Sequence, residues 1–152
     1  MPMVSTDATK DAVVALIEQP LRQQGFEIAE VVLSRYKRSA LLRVFVYGEN
    51  GVSLDECARL STLIGDLIEP TELFSGGYTL EVSSPGLERP LKTARDFHYR
   101  IGEKVQVRFT DPARKPLQTE IRNATETAVE FVQEDGTVWI PLEEIEMAKI
   151  VF

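Results

Sequence analysis

The sequence predicts an α+β protein made of a mixed N-terminal domain and a small C-terminal β-barrel, and three observations lead to this prediction. Two amphipathic helical segments alternate with strand-like segments over the first 84 residues. A stretch containing proline and glycine follows at 85–91. From residue 92 onward, short strand-like segments succeed one another with almost no helix between them, which favours a barrel. We therefore expect domains at 1–84 and 92–152, joined by a linker at 85–91.

The first helix is predicted from about Thr9 to Gln24. Its apolar stripe consists of Val13, Leu16, Ile17 and Leu21. The Ser-Thr-Asp run at residues 5–7 offers an N-cap, and Gly25 suits the position just past the last turn. Pro20 lies inside the pattern, so we expect the last turn to be kinked or to follow a break.

A β-hairpin is predicted next, with strands at Phe26–Tyr36 and Leu41–Tyr47. In the second strand, apolar and other residues alternate, which gives one face to a core. The turn at 48–51, Gly-Glu-Asn-Gly, has the spacing of the phosphate-clamping loop of KH domains. It joins a strand to a helix and carries Glu49, so we interpret it as an ordinary turn.

The second helix has the clearest local signature, a capping box formed by Ser53 and Glu56. Cys57 begins its apolar face and is therefore expected in the core, and Pro70 ends the helix. A third strand alternates from Tyr78 to Val82. The resulting order, αββαβ, predicts a three-stranded sheet with both helices on one face.

The second half begins with a predicted type II turn centred on Pro85 and Gly86, followed by an extended connector. Thr93 and Asp96 offer a second capping box for a short helix that ends by Gly102. Strands are then expected around Val105–Phe109, Val129–Phe131, Val138–Ile140 and Ala148–Phe152, with a tight turn at Pro141–Ile145. Together these features predict a five-stranded SH3-like (Sm-like) barrel.

Charge and composition limit the classes of function. The chain has 17 basic and 24 acidic residues, a net charge of −7. Such a surface repels nucleic acid unless basic groups are concentrated locally, so we expect either small basic patches or a basic protein partner. Acidity that serves only solubility is the alternative. No apolar run could span a membrane, no secretory signal is evident, and a single cysteine suits a reducing compartment, so a cytoplasmic location is expected.

Residues for catalysis or metal binding are scarce. His98 and Cys57 are the only histidine and cysteine, which excludes His–His pairs and Cys-x-x-Cys zinc sites. Ser83 or Ser84 could act as a nucleophile, but no base lies nearby in the sequence, and the hydroxyls are better explained as turn-fixing groups. We predict no enzymatic activity, no cofactor, no metal and no small-molecule substrate.

The basic residues gather in three places and are candidates for contact with phosphates, solvated loops being the alternative. They are Arg35, Lys37, Arg38 and Arg43 at the first hairpin, Lys92 and Arg95 beside the linker, and Arg114 and Lys115 at the first hairpin of the barrel.

Residues 78–91, Tyr-Thr-Leu-Glu-Val-Ser-Ser-Pro-Gly-Leu-Glu-Arg-Pro-Leu, resemble the signature of the RimP family of bacterial ribosome maturation factors. The resemblance makes ribosomal RNA the implied source of the phosphates that these basic residues would contact. The signature positions are Ser83, Ser84, Pro85, Gly86, Leu87, Arg89 and Pro90. Weaker similarity extends over nearly the whole chain. The sequence departs from the family pattern at Tyr47, at 117–120, where an expected glycine is missing, and at Met147.

The resemblance implies an α+β domain followed by an SH3-like barrel. It also implies binding to free, immature small ribosomal subunits and promotion of their maturation without catalysis. The basic small-subunit ribosomal protein numbered twelve is the implied protein partner, with small-subunit rRNA as a possible second one. The alternative function is a stand-alone RNA-binding chaperone that acts through the barrel, and the net charge of −7 argues against it.

Overall fold

The computed structural model describes residues 6–37 and 39–151, with side chains from residue 8 onward. The chain forms two compact units, and the boundary between them falls between Pro85 and Gly86. This boundary lies inside the segment predicted as a linker. Of the helices in the described part of the chain, none is both long and apolar enough to cross a membrane.

The first helix, α1, covers Thr6–Gln23. It continues through Pro20, so the predicted break is wrong. Pro20 lies in the last turn, where its missing N–H removes a single hydrogen bond. Ile17 and Leu21, on either side of it in the chain, are fully buried, which holds the turn in place. Of the predicted cap residues, Ser5 lies outside the described residues.

The chain leaves α1 through Gly25, whose φ of 89° lies in the left-handed region that favours glycine at a helix C-terminus. Two strands follow, β1 at Phe26–Tyr36 and β2 at Ser39–Gly48. Helix α2 covers Leu54–Ile68, and strand β3 covers Tyr78–Ser83. The sheet order is β1-β2-β3. The β1–β2 pair is antiparallel, whereas β2 and β3 are parallel because α2 carries the chain back to the start of the sheet.

Both helices of the first unit contribute to one hydrophobic core with the sheet, as the predicted αββαβ arrangement requires. The buried residues come from α1, β1, β2 and α2 and are Val13, Ile17, Leu21, Phe26, Ile28, Val31, Leu42, Val44, Val46, Leu60, Ile64 and Ile68. Leu80 and Val82 of β3 are partly buried against them.

The capping box of α2 is confirmed. The Glu56 N–H donates to Ser53 Oγ at 3.1 Å, and the Ser53 N–H donates to Glu56 Oε1 at 3.0 Å. The prediction that Cys57 lies in the core is wrong, since the side chain is only half-buried and the core begins one turn later at Leu60. The box places Cys57 in the first turn of α2, at the margin of the apolar face.

The second unit begins with a short helix, α3, at Ala94–His98. Five strands follow: β4 at Lys104–Phe109, β5 at Leu117–Ala124, β6 at Ala128–Gln133, β7 at Gly136–Pro141 and β8 at Ile145–Ile150. A 3-10 turn at Leu142–Glu144 joins the last two. The predicted last strand therefore starts earlier than expected, and Phe152 lies outside the described residues. The second capping box is confirmed, because Asp96 N–H donates to Thr93 Oγ1 at 3.2 Å and Thr93 N–H donates to Asp96 Oδ2 at 3.0 Å.

The five strands form one antiparallel sheet in the order β7-β6-β5-β4-β8. Among the described residues its two edge strands, β7 and β8, do not pair, so hydrogen bonding does not close the sheet into a barrel. The outer edge of β8 pairs with Leu91 instead. Leu91 N–H donates to Ala148 O at 2.8 Å, and Ala148 N–H donates to Leu91 O at 2.9 Å. All five strands share one core, which also contains Leu91 and Phe97.

Candidate functional site

The signature segment that follows β3 turns the chain in a different place from the one predicted. A type II turn centred on Pro85 and Gly86 requires a positive φ at Gly86. Gly86 is not among the glycines with positive φ, so that prediction is wrong. The turn begins at Gly86, whose carbonyl accepts from the Arg89 N–H at 3.2 Å. This hydrogen bond places the reversal of the chain at residues 86–89. Beyond the turn, the side chain of Arg89 and the backbone of Leu91 form further hydrogen bonds that fix the chain.

The Arg89 side chain of the signature is held in place by an ion pair with Asp96. Its Nη1 donates to Asp96 Oδ1 at 2.5 Å. The Asp96 side chain is 1% exposed, and its Oδ2 also accepts the Lys92 N–H at 2.9 Å. One carboxylate therefore joins the signature to the start of α3 and caps that helix at the same time. Sequence reasoning found the capping role and missed the ion pair. The available signal was an arginine seven residues before a capping carboxylate with one oxygen still to be satisfied.

The basic residues of the first hairpin lie on two faces of the sheet. Arg35 pairs with Ala40 in the register, on the face that α1 covers, and its Nη2 donates to Thr9 Oγ1 at 3.0 Å. Arg43 lies on the opposite face, where its Nε is 3.1 Å from Glu81 Oε2. Lys37 occupies the turn with a φ of 50° and is exposed. Arg38 lies outside the described residues.

The basic residues of the second unit are also divided between paired and exposed positions. The guanidinium of Arg114 lies 3.9 Å from the centre of the Phe109 ring and 3.3 Å from Glu144 Oε1. Lys92 and Lys115 are exposed, and Arg95 lies half-buried on α3. Among the described residues, the structure therefore divides the predicted phosphate contacts between paired and exposed side chains. Lys37, Lys92 and Lys115 are the exposed lysines among them.

Glu56 and Tyr78 of the first unit have shifted pKa values. Hydrogen bonds from the backbone and the hydroxyl of Ser53 lower the pKa of Glu56. Burial, and secondarily the charge of Glu69, raises the pKa of Tyr78. His98 is exposed, with its ring 4.8 Å from that of Tyr99. Within residues 6–37 and 39–151, no group of three potential ligands could hold a metal ion. Ser83 and Ser84 are exposed at the end of β3.

Cys57 is expected to react slowly with iodoacetamide at neutral pH. Burial raises the pKa of its thiol, and the neighbouring Glu56 charge raises it further, so the folded protein contains less of the reactive thiolate. The alkylation rate should be measured against pH for the folded and the urea-unfolded chain. The folded curve should have the higher midpoint, and coincident curves would contradict the expectation. Because the folded pKa is raised, the associated stability is present below the unfolded pKa and is lost as the pH rises through the folded pKa.

A comparison with protein families finds a match in the N-terminal part of the chain. Residues 16–88 match the family model described as the RimP N-terminal domain. The matched range includes the last 8 of the 18 residues of α1, the whole three-stranded sheet, α2, and the signature as far as Glu88.

Proposed function

Because the chain belongs to the RimP family of ribosome maturation factors, we propose that it binds free, immature small ribosomal subunits and promotes their maturation without catalysing a reaction. The family match over residues 16–88 is the observation that carries this proposal. The signature at Ser83–Pro90, which spans the unit boundary, also supports it. The protein would act in the cytoplasm, where subunits are assembled.

In this proposal, the second unit is an SH3-like barrel that is closed by the packing of side chains in its core and not by hydrogen bonds between its edge strands. Its support is that all five strands surround one core. The strand pairings shift register at Arg108/Phe109 and at Ile121/Asn123. Such irregularities bend a sheet and increase its twist, which is how a small sheet wraps around its own interior.

Binding would use two kinds of contact. A chain with a net charge of −7 is steered towards basic surfaces, and the basic small-subunit ribosomal protein numbered twelve is the proposed protein partner. Lysines that are exposed, such as Lys37, Lys92 and Lys115, are the best placed to reach rRNA phosphates. The other proposed contacts are Arg35, Arg38, Arg43, Arg95 and Arg114. Arg43 and Arg114 would have to exchange their present carboxylate partners for phosphate.

Sedimentation of a cell lysate through a sucrose gradient tests the proposal. The protein should migrate with free small subunits and be absent from complete ribosomes. Purified protein mixed with naked small-subunit rRNA at physiological salt provides the control, because an RNA chaperone would bind it tightly and with a strong salt dependence. Tight binding to naked RNA, combined with no comigration with small subunits, would contradict the proposal.

Replacing Pro85 with Ala and Gly86 with Val together is expected to weaken subunit binding more than it weakens folding. We propose that residues 85–91 form a stiff linker, so loosening it would lower the effective concentration of one unit once the other is bound, by about tenfold. A side chain at position 86 meets nothing within 4 Å, so the local fold should tolerate it. Comigration with small subunits and thermal unfolding should be measured in parallel.

The matched control for the linker variant is Gly86→Ala alone. It keeps Pro85 and adds one methyl group into open space, so it should bind subunits like the unaltered protein. Normal comigration of the double variant would contradict the linker proposal and leave the family assignment intact.

A further inference from the structure

A groove of about 760 Å³ opens in the second unit where β5 and β6 separate. The first half of β5, Leu117–Glu120, pairs with β4. Its second half, from Ile121 to Ala124, pairs with β6. The last residues of β6, Val132 and Gln133, are registered with β7. Within the part of the chain that the structure describes, the first half of β5 therefore has no strand partner on its β6 side. Across this opening, Thr119 Oγ1 donates to Val132 O at 2.6 Å.

The groove has an apolar floor. Leu117 and Val132 are half-buried along it, and Val151 is 42% exposed at one end. Apolar side chains left open to solvent in a concave site gain free energy when another apolar group covers them, at about 25 cal/mol per Å². Val105, which also lines the groove, is fully buried and belongs to the core of the unit.

The rim of the groove is acidic. It carries Glu120, Glu134 and Asp135 against a single lysine, Lys104. Lys104 is directly opposite Glu120 in the β4–β5 register, so it offsets that charge. Two negative charges, at the β6–β7 turn, are then left without an opposing lysine or arginine in the lining. A nucleic acid would be repelled here, whereas a lysine or arginine beside the groove would be attracted.

We propose that this groove docks an extended, basic segment of a protein, with one apolar side chain on the floor and flanking lysine or arginine side chains at Glu134 and Asp135. The unpaired edge of β5 supports an extended occupant, because an extended peptide can lie along a strand edge. Leu117 is only partly buried against the core, and among the described residues no strand pairs with the β6 side of Leu117–Glu120, so this edge of β5 is accessible along the groove. The inference rests on the proposed function in one respect: the groove would be the binding site for the basic protein partner.

Fluorescence anisotropy with a labelled synthetic peptide of about twelve alternating lysine and valine residues tests the docking site on the full-length chain. The lysine–valine peptide should bind. An all-lysine peptide of the same length should bind at least about fivefold more weakly because it lacks the apolar side chain. A glutamate–valine peptide should not bind. No binding of the lysine–valine peptide at low salt, or equal binding of the first two peptides, would overturn the proposal.

Paired variants locate the site. Glu134→Gln with Asp135→Asn removes two charges and keeps residue types that turns accept, so binding should weaken by about tenfold. The matched control, Glu143→Gln with Glu146→Gln, removes two exposed acidic charges from the same unit outside the groove and should change binding by less than about twofold. Equal losses in both variants would show diffuse electrostatic binding and reject the groove.

The same variants separate this inference from the proposed function. If the groove variant loses the peptide and still comigrates with small subunits, the groove binds basic peptides and subunit recruitment uses another surface. If the unaltered chain binds the peptide in the groove but never comigrates with small subunits, the proposed function fails and the docking site stands. A short hairpin RNA should not compete with the peptide, and full competition would assign the surface to nucleic acid instead.

Discussion

Replacing Asp96 with alanine should lower the free energy of unfolding of the second unit by about 3–5 kcal/mol. The carboxylate is 1% exposed and accepts from Arg89, Lys92 and Thr93. Its removal takes the Asp96 carboxylate away from a guanidinium that is 22% exposed and frees two backbone N–H groups at the start of α3. Breaking one side of a buried pair costs much more than losing an exposed one, since the remaining charge is still desolvated.

Urea denaturation followed by the fluorescence of Trp139 measures this loss. Trp139 is the only tryptophan of the chain and lies on β7, so its signal reports on the second unit. Glu144→Ala is the matched control, because it breaks the Arg114–Glu144 pair of the same unit, whose side chains are about half exposed. That variant should lose no more than about 1 kcal/mol.

A double variant tests whether the ion pair itself is responsible. Adding Arg89→Leu to Asp96→Ala should cost less than the sum of the two single substitutions, because each removes the same interaction. Additive losses would mean that Asp96 stabilises the unit only as a helix cap. A loss below about 1 kcal/mol for Asp96→Ala would show that the carboxylate is not buried in a pair at all.

The features that the sequence alone predicted correctly depend on residues close together in the chain. The capping box at Ser53 and Glu56 and the glycine after α1 are each formed within a few residues. Strand β1 was predicted at its observed limits, since alternation and the flanking turn residues are local signals.

The features that were missed depend on distant residues. No local pattern shows that β2 and β3 run parallel. Nor does one show that Leu91 pairs with the outer edge of β8 through Ala148, which lies 57 residues later in the chain. The turn at Gly86 was misplaced for the same reason, because the chain beyond it is held by the Arg89–Asp96 ion pair and the Leu91–Ala148 backbone hydrogen bonds. The groove depends on where β5 changes partners, a property of the register that no sequence pattern contains.

The candidate site was predicted only at the level of residue type. Sequence proximity placed Arg35 and Arg43 in one basic cluster, but strand alternation sends them to opposite faces of the sheet. Arg35 is then held by a hydroxyl of α1, and Arg43 by a carboxylate of β3. Partners of this kind come from other elements, so a count of charges along the chain cannot distinguish a paired cation from one that is available to a ligand.

Replacing Gly48 with alanine should destabilise the first unit by about 1–3 kcal/mol. A Cβ at this position would lie 2.5 Å from Gly51 O and 3.0 Å from Cε1 of Phe26, a core residue. The carbonyl belongs to the turn that Gly51 closes by donating its N–H to Gly48 O at 3.0 Å, so it cannot move without loss of that bond. The close approach, and no phosphate-binding role, therefore explains a glycine at the start of the Gly-Glu-Asn-Gly turn.

Urea denaturation followed by far-ultraviolet circular dichroism checks this expectation, because α1 and α2, of 18 and 15 residues, dominate the helical signal over the five-residue α3. Gly65→Ala is the control within the same unit. Gly65 lies inside α2, and its Cβ would meet only Tyr78 Oη at 3.9 Å, so alanine should stabilise the helix by about 0.5–1 kcal/mol. The two substitutions add the same methyl group with opposite expected signs. A stabilised Gly48→Ala variant would show that the turn opens freely and that the packing of Gly48 against Phe26 does not constrain it.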